Sequence, residues 1–187
     1  MIISISGMPG SGKSTVAKML SARLHMKRYY MGGMRREMAR KKGLTIEELN
    51  EIGEKEDWTD RGVDEFQKEL GRKEDNFIIE GRTSYFLIPK SLKVFLNVDF
   101  MVGAKRIYDD VRSNKSKRNE GRYKTVADAA RAIRKRLESD IGRYKRYYGL
   151  DIYDLSQYDL VIDTTRLTPE QVAKRISSAL TKAQKKS

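Results

Sequence analysis

The sequence predicts an α/β fold in which a parallel sheet of five strands is covered by helices on both faces. Three short apolar runs, at about residues 76–82, 92–98 and 159–163, lack the alternation of a half-exposed strand and are typical of strands buried on both sides. Amphipathic helical patterns separate the strands, as in successive βαβ units. Because 187 residues suffice for one such core and are few for two, we expect a single domain over residues 1–187.

A strand at residues 1–6 leads into a glycine-rich segment and then into a helix over residues 15–24. The segment fits the P-loop pattern G-x-x-x-x-G-K-[S/T] at every fixed position. Its glycines allow a close backbone approach to phosphate, and the unpaired N–H groups of the following helix attract a polyphosphate. Lys13 is expected to reach the β and γ phosphates of ATP, and the Ser14 hydroxyl to bind Mg²⁺. The predicted ATP-binding residues here are Gly7, Met8, Pro9, Gly10, Ser11, Gly12, Lys13, Ser14 and Thr15.

Helices dominate the segment between the second and third strands. The second strand, about residues 27–31, contains two basic residues and is therefore expected near a sheet edge. A pair of glycines then precedes a helix predicted over residues 34–42. A capping-box pattern at Thr45 starts another short helix, and a longer amphipathic helix follows at about residues 57–70.

The second half of the chain continues the alternation of strands and helices. After the fourth strand, Asp99 begins a helix, and Thr125 caps a long one that ends at Gly149. The last strand is followed by Pro169, which suits the first position of a terminal helix. The strand and helix order is therefore that of a doubly covered parallel sheet.

Composition narrows the class of protein. There is no cysteine, so disulfides and thiolate metal sites are excluded, and no apolar run approaches the length needed to span a bilayer. We therefore expect a cytoplasmic protein without a membrane association. The net charge is +13, and residues 101–150 hold fifteen Lys and Arg against six Asp and Glu. Such a segment indicates an anionic small substrate, a nucleic-acid surface, or a solvated basic face.

Two insertions between strands suggest what the P-loop serves, since the motif alone does not distinguish a kinase from a hydrolase or a switch. One is helical, at about residues 32–70, and the other is basic, at about residues 106–146. A kinase for a small acceptor needs an acceptor pocket and a lid that excludes water, which competes for the γ-phosphoryl group. A nucleotide switch needs neither.

The chain resembles the nucleoside monophosphate kinases, and within them the cytidylate kinases of the short archaeal type. The resemblance covers nearly the whole chain. It departs at Thr83, where bacterial-type enzymes carry an acid, and at Gly33, where archaeal ones often do. The segments that carry it are the P-loop, GGMRRE at 32–37, DRGVDEFQ at 60–67, EGR at 80–82 and RYKRYYGLD at 143–151.

This resemblance implies a three-layer P-loop kinase fold and transfer of the ATP γ-phosphoryl group to CMP or dCMP, giving ADP and CDP or dCDP. Arg36 and Arg82 match positions that hold the acceptor phosphate, although Arg35 could serve in place of Arg36. Asp60 and Asp64 lie four residues apart on one helical face. They are candidates to bind the cytosine amino group and the ribose, or else are ordinary surface acids.

The resemblance also suggests residues around the transferred phosphoryl group. Glu80 falls where a carboxylate could orient the water shell of Mg²⁺, together with Ser14. Arg136 and Arg143 are expected to close on the phosphates from the lid and, with Lys13, to neutralise charge in the transition state. Arg106 is expected near the adenine.

Two alternatives remain open at this point. The acceptor could be AMP, UMP or a non-nucleotide alcohol, or the chain could be an RNA-binding P-loop NTPase whose basic segment contacts the nucleic acid. Nucleotides are the expected partners, nucleic acid is an unfavoured one, and a monomer is expected.

Overall fold

The computed structural model describes residues 1–113 and 123–184. Within these residues the chain forms one sheet of five strands and eight α-helices, with a short 3-10 turn at Leu155–Gln157. The strands are β1 (Ile2–Gly7), β2 (Lys27–Tyr30), β3 (Phe77–Glu80), β4 (Leu92–Asn97) and β5 (Leu160–Asp163). The helices are α1 (Lys13–Leu24), α2 (Met31–Lys41), α3 (Ile46–Gly53), α4 (Trp58–Lys73), α5 (Ser84–Leu87), α6 (Phe100–Arg112), α7 (Val126–Tyr148) and α8 (Pro169–Gln184).

The strands lie in the order β2-β3-β1-β4-β5, and every neighbouring pair is parallel. The predicted parallel sheet is therefore confirmed, as is the edge position of β2. After β1 the chain crosses to one side of it for β2 and β3, and then to the other side for β4 and β5. Ligands of such sheets bind at the carboxyl ends of the strands where this change of direction occurs, which is where β1 enters the P-loop.

Each face of the sheet is buried by helices. Ile3 and Ile5 of β1 pack with α1 and α8 on one face, and Phe77 and Ile79 of β3 pack with α4 on the other. Full burial of one such side chain contributes about 1.5–3 kcal/mol. These two layers hold the strand ends, and thus the loops beyond them, in a rigid frame.

Local signals set most helix ends as predicted. Thr45 and Thr125 each accept a hydrogen bond in a capping box, and the Asp99 side chain caps α6. The predicted start of α2 was wrong, because the helix begins at Met31 and includes Gly32 and Gly33. The four-residue helix α5 was not predicted, since a single turn shows no periodicity.

Three helices of the predicted acceptor insertion, α2 to α4, contact one another, and α3 also contacts α7 of the predicted lid. Residues 114–122 of that lid lie outside the described part of the chain. Among the described helices, none combines the length and the apolar character that a bilayer crossing requires.

Candidate active site

The P-loop packs against β4 and α6. At two of its positions the neighbouring backbone is so close that only glycine fits. Gly7 has φ +143°, and a Cβ there would stand 2.2 Å from the Leu96 carbonyl oxygen. A Cβ on Gly10, at φ +76°, would stand 2.3 Å from the Gly103 carbonyl oxygen. The loop therefore needs these glycines both for backbone conformation and for space.

Lys13 begins α1 and folds back onto this loop. Its ammonium group donates hydrogen bonds to the carbonyl oxygens of Gly7 at 2.8 Å and Met8 at 2.7 Å. No side chain caps the helix N-terminus, where Gly12 is the capping residue. The N-terminus of α1, whose first N–H groups have no partner within the helix, and a cation thus lie at the end of β1, an arrangement that favours a polyphosphate.

Glu80, at the end of β3, is buried next to the P-loop. The Ser14 hydroxyl donates to its Oε2 at 2.7 Å, and Arg28 of β2 donates from Nε to its Oε1 at 2.6 Å. The two residues predicted to serve Mg²⁺ are 66 positions apart in the chain and adjacent in the fold.

Asp60 of α4 is buried and accepts hydrogen bonds from two arginines. Arg143 of α7 donates to its Oδ2 at 2.5 Å, Arg35 of α2 donates to its Oδ1, and the Tyr144 hydroxyl donates to Oδ1 at 3.4 Å. Three helices therefore meet at one carboxylate. These buried ion pairs connect α2 and α4 to α7.

Asp64, one turn further along α4, is also buried. It accepts hydrogen bonds from Gln67 and Thr83, each at 2.8 Å, and from the Tyr148 hydroxyl. Burial raises the pKa of Asp64, and the hydrogen bonds from Tyr148 and Thr83 oppose that rise only in part. The interpretation of Asp60 and Asp64 as surface acids is wrong, because both are at most 4% exposed.

Arg36 is held at the start of α2 by Tyr30. It donates from one terminal nitrogen to the Tyr30 hydroxyl at 2.7 Å and to the Gly32 carbonyl at 3.1 Å. The Tyr30 ring covers Gly33, where a Cβ would lie 2.6 Å from Cδ1 of the ring. This contact explains why the position carries no side chain. Arg35, the alternative to Arg36, instead donates hydrogen bonds to Asp60 and to one further residue on each of α3 and α4.

Arg82 connects the P-loop to α7. It donates to the Gly7 carbonyl at 2.6 Å, and its Nε lies 3.0 Å from Oδ2 of Asp140 on α7. Arg143 donates to the other oxygen of Asp140 at 2.6 Å. Burial acts to raise the pKa of Asp140, but the positive charges of Arg82 and Arg143 outweigh it, so the pKa lies below its usual value.

These side chains line one cleft, which lies at the carboxyl ends of β1 and β3. The P-loop forms one wall, and α2, α4 and α7 form the others. Arg136 of α7 also lines it, and its charge contributes to the lowered pKa of Asp140. The charged residues lining the cleft are Lys13, Arg35, Arg36, Asp60, Asp64, Glu80, Arg82, Arg136, Asp140 and Arg143.

A comparison with protein families matches residues 2–166 to the cytidylate kinase-like family. The chain belongs to that family. Cytidylate kinases of archaea align with almost its full length. The one from Sulfurisphaera tokodaii is 38% identical over 182 residues, covering 96% of this chain and 95% of the relative. The one from Archaeoglobus fulgidus is 35% identical over 181 residues, covering 96% and 94%. The resemblance inferred from the motifs is thereby confirmed.

Solved structures agree on the fold. The shikimate kinase from Bacteroides thetaiotaomicron superposes with a TM-score of 0.65 at 18% identity, covering 97% of this chain and 98% of that one. The shikimate kinase from Aquifex aeolicus gives 0.57 at 23% identity, covering 97% and 96%. These likenesses confirm the three-layer P-loop kinase fold and carry no argument about the acceptor.

Arg106, also predicted as a site residue, lies outside the cluster of charged residues that line this cleft. It donates to the carbonyl oxygens of Thr164 at 3.0 Å and Thr165 at 3.1 Å, beyond β5, and more weakly to Gly10. It therefore connects the P-loop to the β5 end of the sheet. A contact with adenine there stays a prediction, as do the roles of Arg136 and Arg143 at the phosphates.

Several residues that line the cleft or contact its lining were not predicted from the sequence. Arg28 was interpreted only as a basic residue of an edge strand, and Tyr30 was not singled out. Asp140 could have been found, because it lies four residues after Arg136 and three before Arg143 and thus on the same helical face. No local signal indicated that Arg28 reaches Glu80, since the contact depends on strand register.

The residues present suit Mg²⁺ delivered with a nucleotide. The hydroxyl of Ser14 and the carboxylate of Glu80 stand side by side at the P-loop, and Mg²⁺ favours oxygen ligands while keeping several waters. The described residues contain no group of three or more acidic or histidine side chains that could hold an ion. A site completed by phosphate oxygens and water fits this donor set.

Gly103 offers a test of how α6 supports the P-loop. A Cβ there would lie 2.7 Å from the Pro9 carbonyl oxygen and 3.1 Å from Val98. Gly103→Ala should therefore displace the loop and raise the KM for ATP several-fold, measured by coupled assay. Gly142→Ala is the matched control, because a Cβ there meets nothing within 4 Å. That change should leave KM unaltered and stabilise α7 by roughly 0.5–1 kcal/mol. Equal KM values for the two variants would contradict the packing argument.

Proposed function

We propose that the chain is an ATP-dependent kinase that transfers the γ-phosphoryl group to CMP or dCMP, producing ADP and CDP or dCDP. Its membership of the cytidylate kinase-like family supports this activity. The observation that carries the proposal is the cleft, which places a P-loop opposite buried arginines and aspartates from α2, α4 and α7.

On the donor side, the P-loop amides and Lys13 bind the triphosphate. The ammonium group of Lys13 exchanges its bonds to the Gly7 and Met8 carbonyls for bonds to the β and γ phosphates. Ser14 and Glu80 would hold Mg²⁺, which would supply positive charge to neutralise the phosphates. Arg106, which is bonded to the Thr164 carbonyl beyond β5, borders the adenine in this proposal.

On the acceptor side, Arg36 and Arg82 bind the phosphate of the monophosphate. Both guanidinium groups lie at the cleft and are already fixed by hydrogen bonds to Tyr30 and Gly7. Asp60 and Asp64 face the same cleft and recognise the cytosine amino group and the sugar. A charge-assisted hydrogen bond of this kind contributes about 1.5–3 kcal/mol.

The transfer step requires alignment more than proton abstraction. Phosphoryl transfer passes through a loose transition state whose charge spreads over the equatorial oxygens. Lys13, Arg136 and Arg143 supply compensating charge around them. Residues 32–70 form the acceptor insertion of the single kinase domain, and residues 106–146 form its lid. A monomer in the cytoplasm, with Mg²⁺ as cofactor, completes the proposal.

RNA binding is the weaker alternative. Part of the positive charge of residues 101–150 is used within the protein, because Arg136 and Arg143 face the cleft and Lys135 pairs with Glu51. A titration of the protein with RNA at low salt tests this alternative. Phosphate-dominated RNA binding would appear there and weaken steeply as salt rises.

A panel of acceptors tests the proposed substrate. CMP, dCMP, UMP, AMP and shikimate are each offered with Mg²⁺ and ATP, and ADP formation is followed by coupled assay. We expect kcat/KM for CMP or dCMP to exceed that for the others by about 10²-fold or more, since an acceptor lacking the right polar groups leaves buried ones unpaired. A higher value for another acceptor would replace CMP in the assignment.

A further inference from the structure

Arg28 is placed unexpectedly for a basic residue on an edge strand. Its side chain is only 26% exposed, and it lies against Glu80, which is 2% exposed. Arg28 donates from Nε to Glu80 Oε1 at 2.6 Å, and its terminal Nη2 also contacts that oxygen. The other oxygen, Oε2, accepts from Ser14 at 2.7 Å. The arginine thus occupies one carboxylate oxygen and leaves the second toward the P-loop.

Strand register explains how the contact forms. Tyr30 of β2 pairs with Glu80 of β3, and Arg28 pairs with Ile78. Side chains two residues apart on a strand share a face, so Arg28, Tyr30 and Glu80 lie on the same side of the sheet. The long side chain of Arg28 runs along the strand to reach Glu80. Its guanidinium carbon lies 5.3 Å from the centroid of the Tyr30 ring, which restricts its movement.

The cost of burying a charge couples Glu80 to Arg28. A buried carboxylate is costly unless it is paired and hydrogen-bonded. Without Arg28, Glu80 would lose the donor to Oε1 and retain the Ser14 hydroxyl at Oε2. The side chain would then turn toward water or toward another cation. Its orientation toward Ser14 therefore depends on Arg28.

We propose that Arg28 is a positioning residue that orients Glu80 for binding the water shell of Mg²⁺, a role that rests on the proposed kinase function. Arg28 does not line the cleft, whereas Glu80 does, so Arg28 acts through the Glu80 carboxylate. Partners that orient metal-binding side chains in this way typically change metal affinity or activity by 10- to 100-fold when they are removed.

Binding of an ATP analogue tests this role without turnover. The affinity for adenylyl imidodiphosphate is measured by calorimetry with Mg²⁺ and with EDTA, for the wild type, Arg28→Gln and Arg28→Lys. We expect the gain in affinity that Mg²⁺ provides to fall by about 10-fold or more in Arg28→Gln. The affinity in EDTA should stay unchanged, because the P-loop amides and Lys13 are intact. Arg28→Lys should fall in between, since it keeps the charge with fewer directed donors.

Lys27→Gln is the matched control, because Lys27 precedes Arg28 on β2 and its side chain is 71% exposed beside Glu74. It should bind like the wild type under both conditions. In the Glu80→Gln background, adding Arg28→Gln should change the Mg²⁺-dependent gain by less than about twofold, because residues that act as a unit are not additive. Full additivity of the two changes would overturn the proposal.

Kinetics separate a positioning role from general destabilisation. Arg28→Gln should lower kcat and raise the Mg²⁺ concentration needed for half-maximal rate, while the KM for CMP stays near the wild-type value. A wild-type Mg²⁺ requirement in this variant would refute the role, as would equal losses in EDTA binding and in KM for CMP. Should Arg28→Gln not fold, Arg28→Lys serves for the same comparison.

Failure of the proposed function would look different. A wild-type protein that binds the analogue with Mg²⁺ but does not phosphorylate CMP would overturn the acceptor assignment. The calorimetry contains no acceptor, so it would still decide whether Arg28 orients Glu80.

Discussion

Lys13→Ala is expected to lower kcat for CMP phosphorylation by at least about 10²- to 10³-fold, the loss seen when one donor to developing transition-state charge is removed. The ammonium group lies against the P-loop, bonded to the carbonyls of Gly7 and Met8. No other lysine lines the cleft within the described residues, so none replaces it. A coupled assay with ATP, Mg²⁺ and CMP measures the effect.

The fold should survive this substitution, because Lys13 is only partly buried and starts α1 rather than packing in the core. Circular dichroism and the melting temperature check that. Lys18→Ala is the control, since Lys18 lies on the exposed side of the same helix. Turnover in Lys13→Ala equal to that of the Lys18→Ala control would refute the catalytic assignment of the P-loop.

Asp140→Asn is expected to lower the free energy of unfolding at pH 7 by about 3–5 kcal/mol, the cost of removing one partner from a buried ion pair. Asp140 is 3% exposed and lies between Arg82 and Arg143. The neutral amide leaves Arg82 without this counterion. Urea denaturation of the wild type and the variant gives the difference.

The pH dependence of that difference has a definite sign. The pKa of Asp140 is lowered in the folded state, because the charges of Arg82 and Arg143 outweigh the effect of burial. Its stabilisation is therefore complete above the unfolded pKa of about 3.9 and is lost as the pH falls through the lower folded value. The variant should approach the wild type in stability over that acidic range.

Glu138→Gln serves as the control for Asp140→Asn, because Glu138 is exposed on the same helix. It should change the unfolding free energy by no more than about 0.5 kcal/mol. An equally small change for Asp140→Asn at pH 7 would show that the ion pairs across α7 contribute little.

Much of the fold could be predicted because its signals are local. Apolar runs without alternation marked β3, β4 and β5, and capping residues such as Thr45 and Thr125 marked helix starts. The start of α2 was misplaced because Gly32 and Gly33 usually end or precede helices. Here the ring of Tyr30 packs over them, a side-chain contact that helical periodicity does not indicate.

In the candidate site, too, some residues could be predicted from local signals and others could not. The P-loop residues could be assigned because one continuous segment contains the whole phosphate-binding motif. Asp60 and Asp64 could be placed on one helical face, but their burial depends on α7 and β3 bringing Arg143 and Thr83 to them. The contact of Arg28 with Glu80 depends on the register of β2 against β3.

By itself, the sequence determined the parallel α/β fold, the P-loop and the family, because hydrophobic periodicity, caps and a contiguous motif act over a few residues. Only the tertiary structure decided which partners the buried carboxylates have: Glu80 with Ser14 and Arg28, Asp60 with Arg35 and Arg143, and Asp140 with Arg82. Buried carboxylates must find cations wherever the packing of strands and helices brings them. Those partners lie up to 83 residues apart in the chain, beyond the range of any local pattern.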